Sequence, residues 1–133
     1  MFANAKRTYE SGQRAAPSGR ELEAAALFKS ARQLEACRRD WNAPGLEQRL
    51  DEALRYNQRL WTFFQGEMMA DDCPLPLDLR RNILRISTFV DQRTFEMMAA
   101  PTAEGLLPLI ELNRNLAAGL ATPVPVAAQA RIA

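Results

Sequence analysis

Leu46, Leu50, Leu54, Asn57, Trp61, Phe64 and Met68 follow one another at spacings of 4, 4, 3, 4, 3 and 4. A helix turns about 100° per residue, so this rhythm holds all seven on one face for about six turns. A strand, with its period of two, would scatter them over both faces. Ala53 and Leu60 widen the same stripe. No other segment is as amphipathic, and whatever else the chain builds must cover this face.

The rest of the sequence is cut into blocks of the same kind. Residues 2–11 predict a short helix that stops at Gly12, and residues 13–17 a linker. Ser18-Gly19-Arg20-Glu21 has the S-x-x-E pattern of a capping box. A long helix then runs to about residue 41, with Ala24, Leu27, Ala31, Leu34 and Trp41 on its apolar side. Arg38 interrupts that stripe and is expected to lay its stem along the seam with its guanidinium in water. Asn42-Ala43-Pro44-Gly45 is a break, and Asn42 or Gly45 begins the next helix. Pro74-Leu75-Pro76 ends that helix near residue 70. Pro76 suits the first turn of the following one, which extends to about residue 99 with Leu79, Ile83, Ile86, Val90 and Met97 as its stripe and Arg93 interrupting. After Pro101, Thr102 is the candidate cap of a last helix bearing Leu106, Leu109, Ile110, Asn113, Leu116, Ala117 and Leu120. Pro108 places the start of that helix as much as a turn later.

Alternation never holds beyond four residues, so no strand is expected. The expected fold is all-α: an antiparallel helical bundle of four main helices plus a short N-terminal helix. Residues 1–120 would form one domain. Residues 121–133, with two prolines, one charge and no periodicity, are expected to be a disordered tail.

Much chemistry is excluded. The chain has no histidine, which removes the commonest general base and metal ligand and every Ser-His-Asp arrangement. Cys37 and Cys73 belong to no CxxC pair and are read as reduced thiols. No phosphate-binding glycine loop occurs. Asp71 and Asp72 read as a solvated loop pair. No catalytic residue, metal or cofactor is therefore expected, and the chain is not read as an enzyme. The net charge is only +1, so no overall field draws it to nucleic acid, and Arg38-Arg39 and Arg80-Arg81 with Arg85 read as solvated helix faces. No signal peptide and no membrane-length apolar run are present, which points to a cytoplasmic location without membrane insertion.

The aromatic residues are more specific. Tyr56, Trp61, Phe63 and Phe64 crowd one helix, and Tyr56 and Phe63 fall well off its main stripe. Either several neighbours surround that helix, or one face receives a partner helix. Asn57, polar on an apolar stripe, is a candidate to fix register by hydrogen bonding across the core.

The segment Leu50-Asp51-Glu52-Ala53-Leu54-Arg55-Tyr56-Asn57-Gln58-Arg59-Leu60-Trp61-Thr62-Phe63-Phe64 resembles the signature of the flagellar biosynthesis protein FlaF family of alphaproteobacteria, with its Y-N-x-x-L-W-T core at Tyr56, Asn57, Leu60, Trp61 and Thr62. Further likenesses follow in order: Glu21-Leu22-Glu23, Pro74-Leu75-Pro76, Leu79-Arg80 with Asn82-Ile83, Phe89-Val90 with Arg93-Thr94 and Glu96, and Asn113 with Ala117, Gly119 and Leu120. Cys73 stands where asparagine is common in the family, and Gly19 where proline is.

The resemblance implies a flagellum assembly protein that binds flagellin as a secretion chaperone and positive regulator of flagellin production. The alternative it leaves is a post-transcriptional regulator acting on flagellin mRNA, directly or through a second protein, FlbT. Flagellin, with FlbT as a further candidate, is the implied partner, and direct binding of nucleic acid is not expected. Tyr56, Phe63, Phe89 and Arg93 are the partner-binding candidates. Asn57, Leu60, Trp61, Thr62 and Asn113 are assigned to the structural motif.

Overall fold

The computed structural model describes residues 19–121. The short helix, linker and Ser18 cap expected before Gly19, and the tail from residue 122, lie outside the described residues. The described residues form four α-helices: α1 (Gly19–Arg39), α2 (Leu46–Met69), α3 (Leu77–Ala99) and α4 (Leu107–Ala121), with a 3₁₀ turn (Glu104–Leu106) leading into α4. No strand occurs among the described residues. No helix there is long and apolar enough to cross a membrane.

Local chemistry sets the ends. Gly45 takes φ 78° before α2, a left-handed conformation that costs other residues free energy, and its carbonyl accepts from the Arg49 N–H at 3.0 Å. The Arg49 guanidinium then turns back to donate to the carbonyls of Asp40 and Ala43 at 3.1 and 3.0 Å, which satisfies acceptors left over where α1 ends. Arg80 does the same for α2, donating to Met68 O and Ala70 O at 2.9 and 3.1 Å. One of the three arginines of the cluster Arg80, Arg81 and Arg85 is thus part of a helix end.

α1 packs most extensively on α4, α2 packs on α1 and α3, and the 3₁₀ turn touches α1, α3 and α4. The pairing order reveals directions. Arg20 reaches Gly119 and Ser30 meets Asn113, so α1 and α4 are antiparallel. Arg80 meets Met68 and Asp91 meets Gln65, so α2 and α3 are antiparallel as well.

The stripes read from sequence form most of the core. Leu27, Leu34, Trp61, Leu106, Leu109 and Ile110 are fully buried. Arg38 keeps its guanidinium at the solvent edge, where it also grips Glu35 through two bonds of 2.7 Å. Three readings need correction. α1 stops at Arg39, so Trp41 lies beyond the helix and is only half-buried. Thr102 accepts from the Gly105 N–H at 3.0 Å and so caps the 3₁₀ turn, while α4 begins at Leu107 with Pro108 in its first turn. The third concerns α3. Leu79 is exposed and Ile83 and Ile86 are only half-buried, while Ser87, Val90, Thr94 and Met97 form the packed seam. That seam is narrow because α3 rests on α2 and the 3₁₀ turn, not on helices from several sides. Gly105 lets the turn close on it: a Cβ there would collide with the Met97 side chain and the Thr102 hydroxyl.

Candidate partner-binding surface

Three helices meet at a buried polar knot. Ser30 of α1 donates to Asn57 Oδ1 of α2 at 2.8 Å. Asn113 of α4 donates through Nδ2 to Asn57 Oδ1 at 2.8 Å and to Ser30 Oγ at 3.2 Å. Its Oδ1 accepts from the Trp61 indole N–H at 3.0 Å. Ser30, Asn57, Trp61 and Asn113 are all 0% exposed. Water cannot substitute for any of these bonds, so each polar group depends on the other helices for a partner. Of the knot's side-chain polar atoms, Asn57 Nδ2 alone lacks one among the described residues. Leu60 is buried beside this knot, whereas Thr62 of the same motif is exposed.

The partner-binding candidates fall in two separate places. Tyr56 is half-buried on the α1 side of α2, with the Lys29 ammonium 4.9 Å from its ring centroid. Burial raises its phenol pKa above the usual value, ahead of the opposing Arg59 and Arg32 charges. Phe63, also half-buried, stands edge-on to Phe64 with centroids 6.1 Å apart. Phe89 and Arg93 lie on α3, the guanidinium 5.7 Å from the ring centroid, and Arg93 pairs with Glu96 at 3.5 Å. Arg93 Nε is buried without an acceptor among the described residues. Phe89 is 40% exposed.

The residues that sequence reading passed over are the most exposed apolar ones. Met69 at the end of α2, and Leu77, Phe95 and Met98 of α3, stand in solvent, Phe95 at 61%. A signal for them existed. Leu77 and Phe95 are 18 residues apart, five whole turns, and so share one angle on the helix, far from the Val90 seam.

No set of three or more His, Cys, Asp or Glu among the described residues is placed to hold a metal. Among the described residues, the one strongly shifted acid is Glu23 of α1, pushed up to about 7 by burial first, then by repulsion from Glu67 of α2, against the pull of Arg20. Burial also raises Glu67. Cys37 is buried, which raises its thiol pKa, and no disulfide forms.

The family model described as flagellar protein FlaF matches residues 5–120. No curated protein and no solved structure matches the chain.

Proposed function

The chain belongs to the FlaF family of flagellar proteins, and from that premise we propose that it binds unassembled flagellin in the cytoplasm as a secretion chaperone and supports flagellin production, without catalysis or cofactor. The observation that carries this reading is the exposed apolar surface of α3. Among the described residues, five of the six large apolar side chains left exposed, Leu77, Leu79, Phe89, Phe95 and Met98, belong to that one helix, and all but Leu79 lie off the angle of its packed seam. Apolar area of this kind is costly to leave in water and marks docking sites. Flagellin subunits awaiting export carry amphipathic helices whose apolar faces would otherwise drive polymerisation. A helix face of Phe, Leu and unbranched, adaptable Met suits such a client. Phe89 with its stacked Arg93 adds an aromatic anchor and a cation beside it.

FlbT is a second partner in this reading. Direct action on flagellin mRNA is the weaker reading, because the net charge is only +1 and two arginines of the basic clusters are engaged elsewhere: Arg38 with Glu35 and Arg80 with the end of α2. Electrostatic binding to RNA would also collapse as salt rises, whereas burial of apolar helix surface would not.

Size-exclusion chromatography of the purified chain with monomeric flagellin tests the proposal. Co-elution at micromolar concentration that persists in high salt is expected, and Phe89→Ser should weaken it while leaving the melt within about 0.5 kcal/mol of wild type. Absence of a complex at that concentration sinks the chaperone reading.

A further inference from the structure

The outer face of α3 carries a second periodicity that its packed face does not share. Leu77, Arg81, Leu84, Thr88, Asp91, Phe95 and Met98 follow spacings of 4, 3, 4, 3, 4 and 3. This is the 3.5-residue repeat of a coiled-coil seam. None of the four residues that seat α3 on the core, Ser87, Val90, Thr94 and Met97, belongs to it. Leu77, Arg81, Thr88, Phe95 and Met98 are exposed, and Leu84 and Asp91 half-buried. The Arg81 side chain makes no ion pair with any described residue. Asp91 has its Oδ2 held by the Gln65 amide at 3.0 Å. That bond orients the carboxylate and leaves Oδ1 for another donor.

We propose that this face pairs with the same face of a second copy of the chain, the two α3 helices running antiparallel about a two-fold axis at the height of Ile86. The charge pattern selects the register. Under that axis Leu77 meets the partner's Phe95, Leu84 meets the partner's Thr88, and Arg81 meets the partner's Asp91, each contact made twice. The one cation and the one anion of the seam fall opposite each other, and the most exposed leucine falls opposite the most exposed phenylalanine. Sliding by one heptad either way sets Arg81 against Leu84 or Met98 and buries its charge without a partner. The contact from Leu77 to Phe95 runs for about 27 Å at the helical rise. An isologous pair of this kind closes on itself and leaves no free edge. The pairing covers Leu77, Phe95 and Met98, so in the dimer flagellin is left the Phe89–Arg93 edge of α3.

Sedimentation equilibrium of the full chain, from dilute to high micromolar concentration, tests this. A monomer–dimer equilibrium is expected. Arg81→Asp and Asp91→Arg should each weaken it at least about tenfold by placing like charges together, and the double variant Arg81→Asp/Asp91→Arg should recover most of the loss. Should Asp91→Arg lower the melt through the lost Gln65 bond, Arg81→Asp and Phe95→Ser, both at exposed positions, decide the matter. A chain that stays monomeric at the highest concentration overturns the proposal, as does a dimer that Arg81→Asp and Phe95→Ser leave unchanged. If the chain alone is monomeric yet co-elutes with flagellin, the second-copy pairing is wrong and the chaperone reading stands. If it dimerises through these residues but never binds flagellin, the reverse holds.

Discussion

The α1–α2–α4 core and α3 are held by different means. In the core, three helices exchange hydrogen bonds through side chains that none can satisfy alone. On α3, the buried hydroxyls look inward to their own helix: Ser87 donates to Leu84 O and Thr94 to Val90 O, both at 2.7 Å. Those bonds keep the polar groups satisfied on a narrow seam but fix nothing relative to α2. What ties α3 down is the Arg80 clasp on the end of α2, the Gln65–Asp91 bond and the apolar packing of Val90 and Met97. A polar group that reaches a neighbour specifies an arrangement, and one that bonds its own backbone merely tolerates burial.

The largest test of this contrast is Trp61→Ala. It empties a fully buried site and also strips Asn113 Oδ1 of its donor, so we expect a loss of about 3–5 kcal/mol in urea unfolding, enough to unfold a marginal domain. A variant that melts near wild type would mean that the knot is not where the stability lies.

Asn57→Ala comes next. It removes the acceptor shared by Ser30 and Asn113, which strands the Ser30 hydroxyl and leaves Asn113 Nδ2 only its longer bond to Ser30 Oγ, at roughly 1–3 kcal/mol. Urea unfolding with an unchanged slope would attribute the loss to the native state.

The well-knit side also contains a flaw, and pH should expose it. The folded-state pKa of Glu23, about 7, lies above its ordinary 4.5. Protonated Glu23 therefore favours folding: its contribution is fully present below pH about 4.5 and is lost as pH rises through 7. Because the group is partly solvated, the loss should be on the order of 1 kcal/mol, well short of what the full shift would imply. Glu23→Gln should flatten the melting temperature between those limits and raise it at pH 8. A wild-type melt that does not fall across this window would show that the Glu23–Glu67 seam is freely hydrated.

Thr94→Val should do least. The hydroxyl serves only a carbonyl already within its helix, so the substitution is expected to change stability by about 0.5 kcal/mol or less. A loss as large as that of Asn57→Ala would erase the distinction between the two regions.

How far the sequence could be read follows the same division. Helices with wide apolar stripes declared themselves through 3–4 spacing, and α2, α4 and the core residues of α1 lie where periodicity puts them. Asn57 stood out as a polar residue on such a stripe. Asn113 was named on the stripe of the last helix as well, but Ser30 was not, and their pairing with Asn57 was not legible, because a three-helix hydrogen-bond set depends on the relative rotation of helices, which spacing within one helix does not encode. On α3 the apolar pattern misled. Its isoleucines and leucines exceed what one neighbour can cover, and the seam chose Ser87 and Thr94, small side chains that let α3 approach α2. Of the surface, Tyr56 and Phe63 were named for lying off the stripe, and the structure sets them apart from Phe89 and Arg93. Phe95 and Leu77 were passed over because residues a whole number of turns apart look unrelated until the buried face is known.

The knot also bears on the order in which the chain is made. α1 and α2 leave the ribosome first, yet Trp61 Nε1 has its acceptor, and Asn57 and Ser30 their third member, only at Asn113. Until α4 arrives, the nascent helical pair must keep these groups hydrated, and so cannot close tightly around them. Tight closure waits for the last helix, and a chain cut before residue 113 would retain helices without a settled interior.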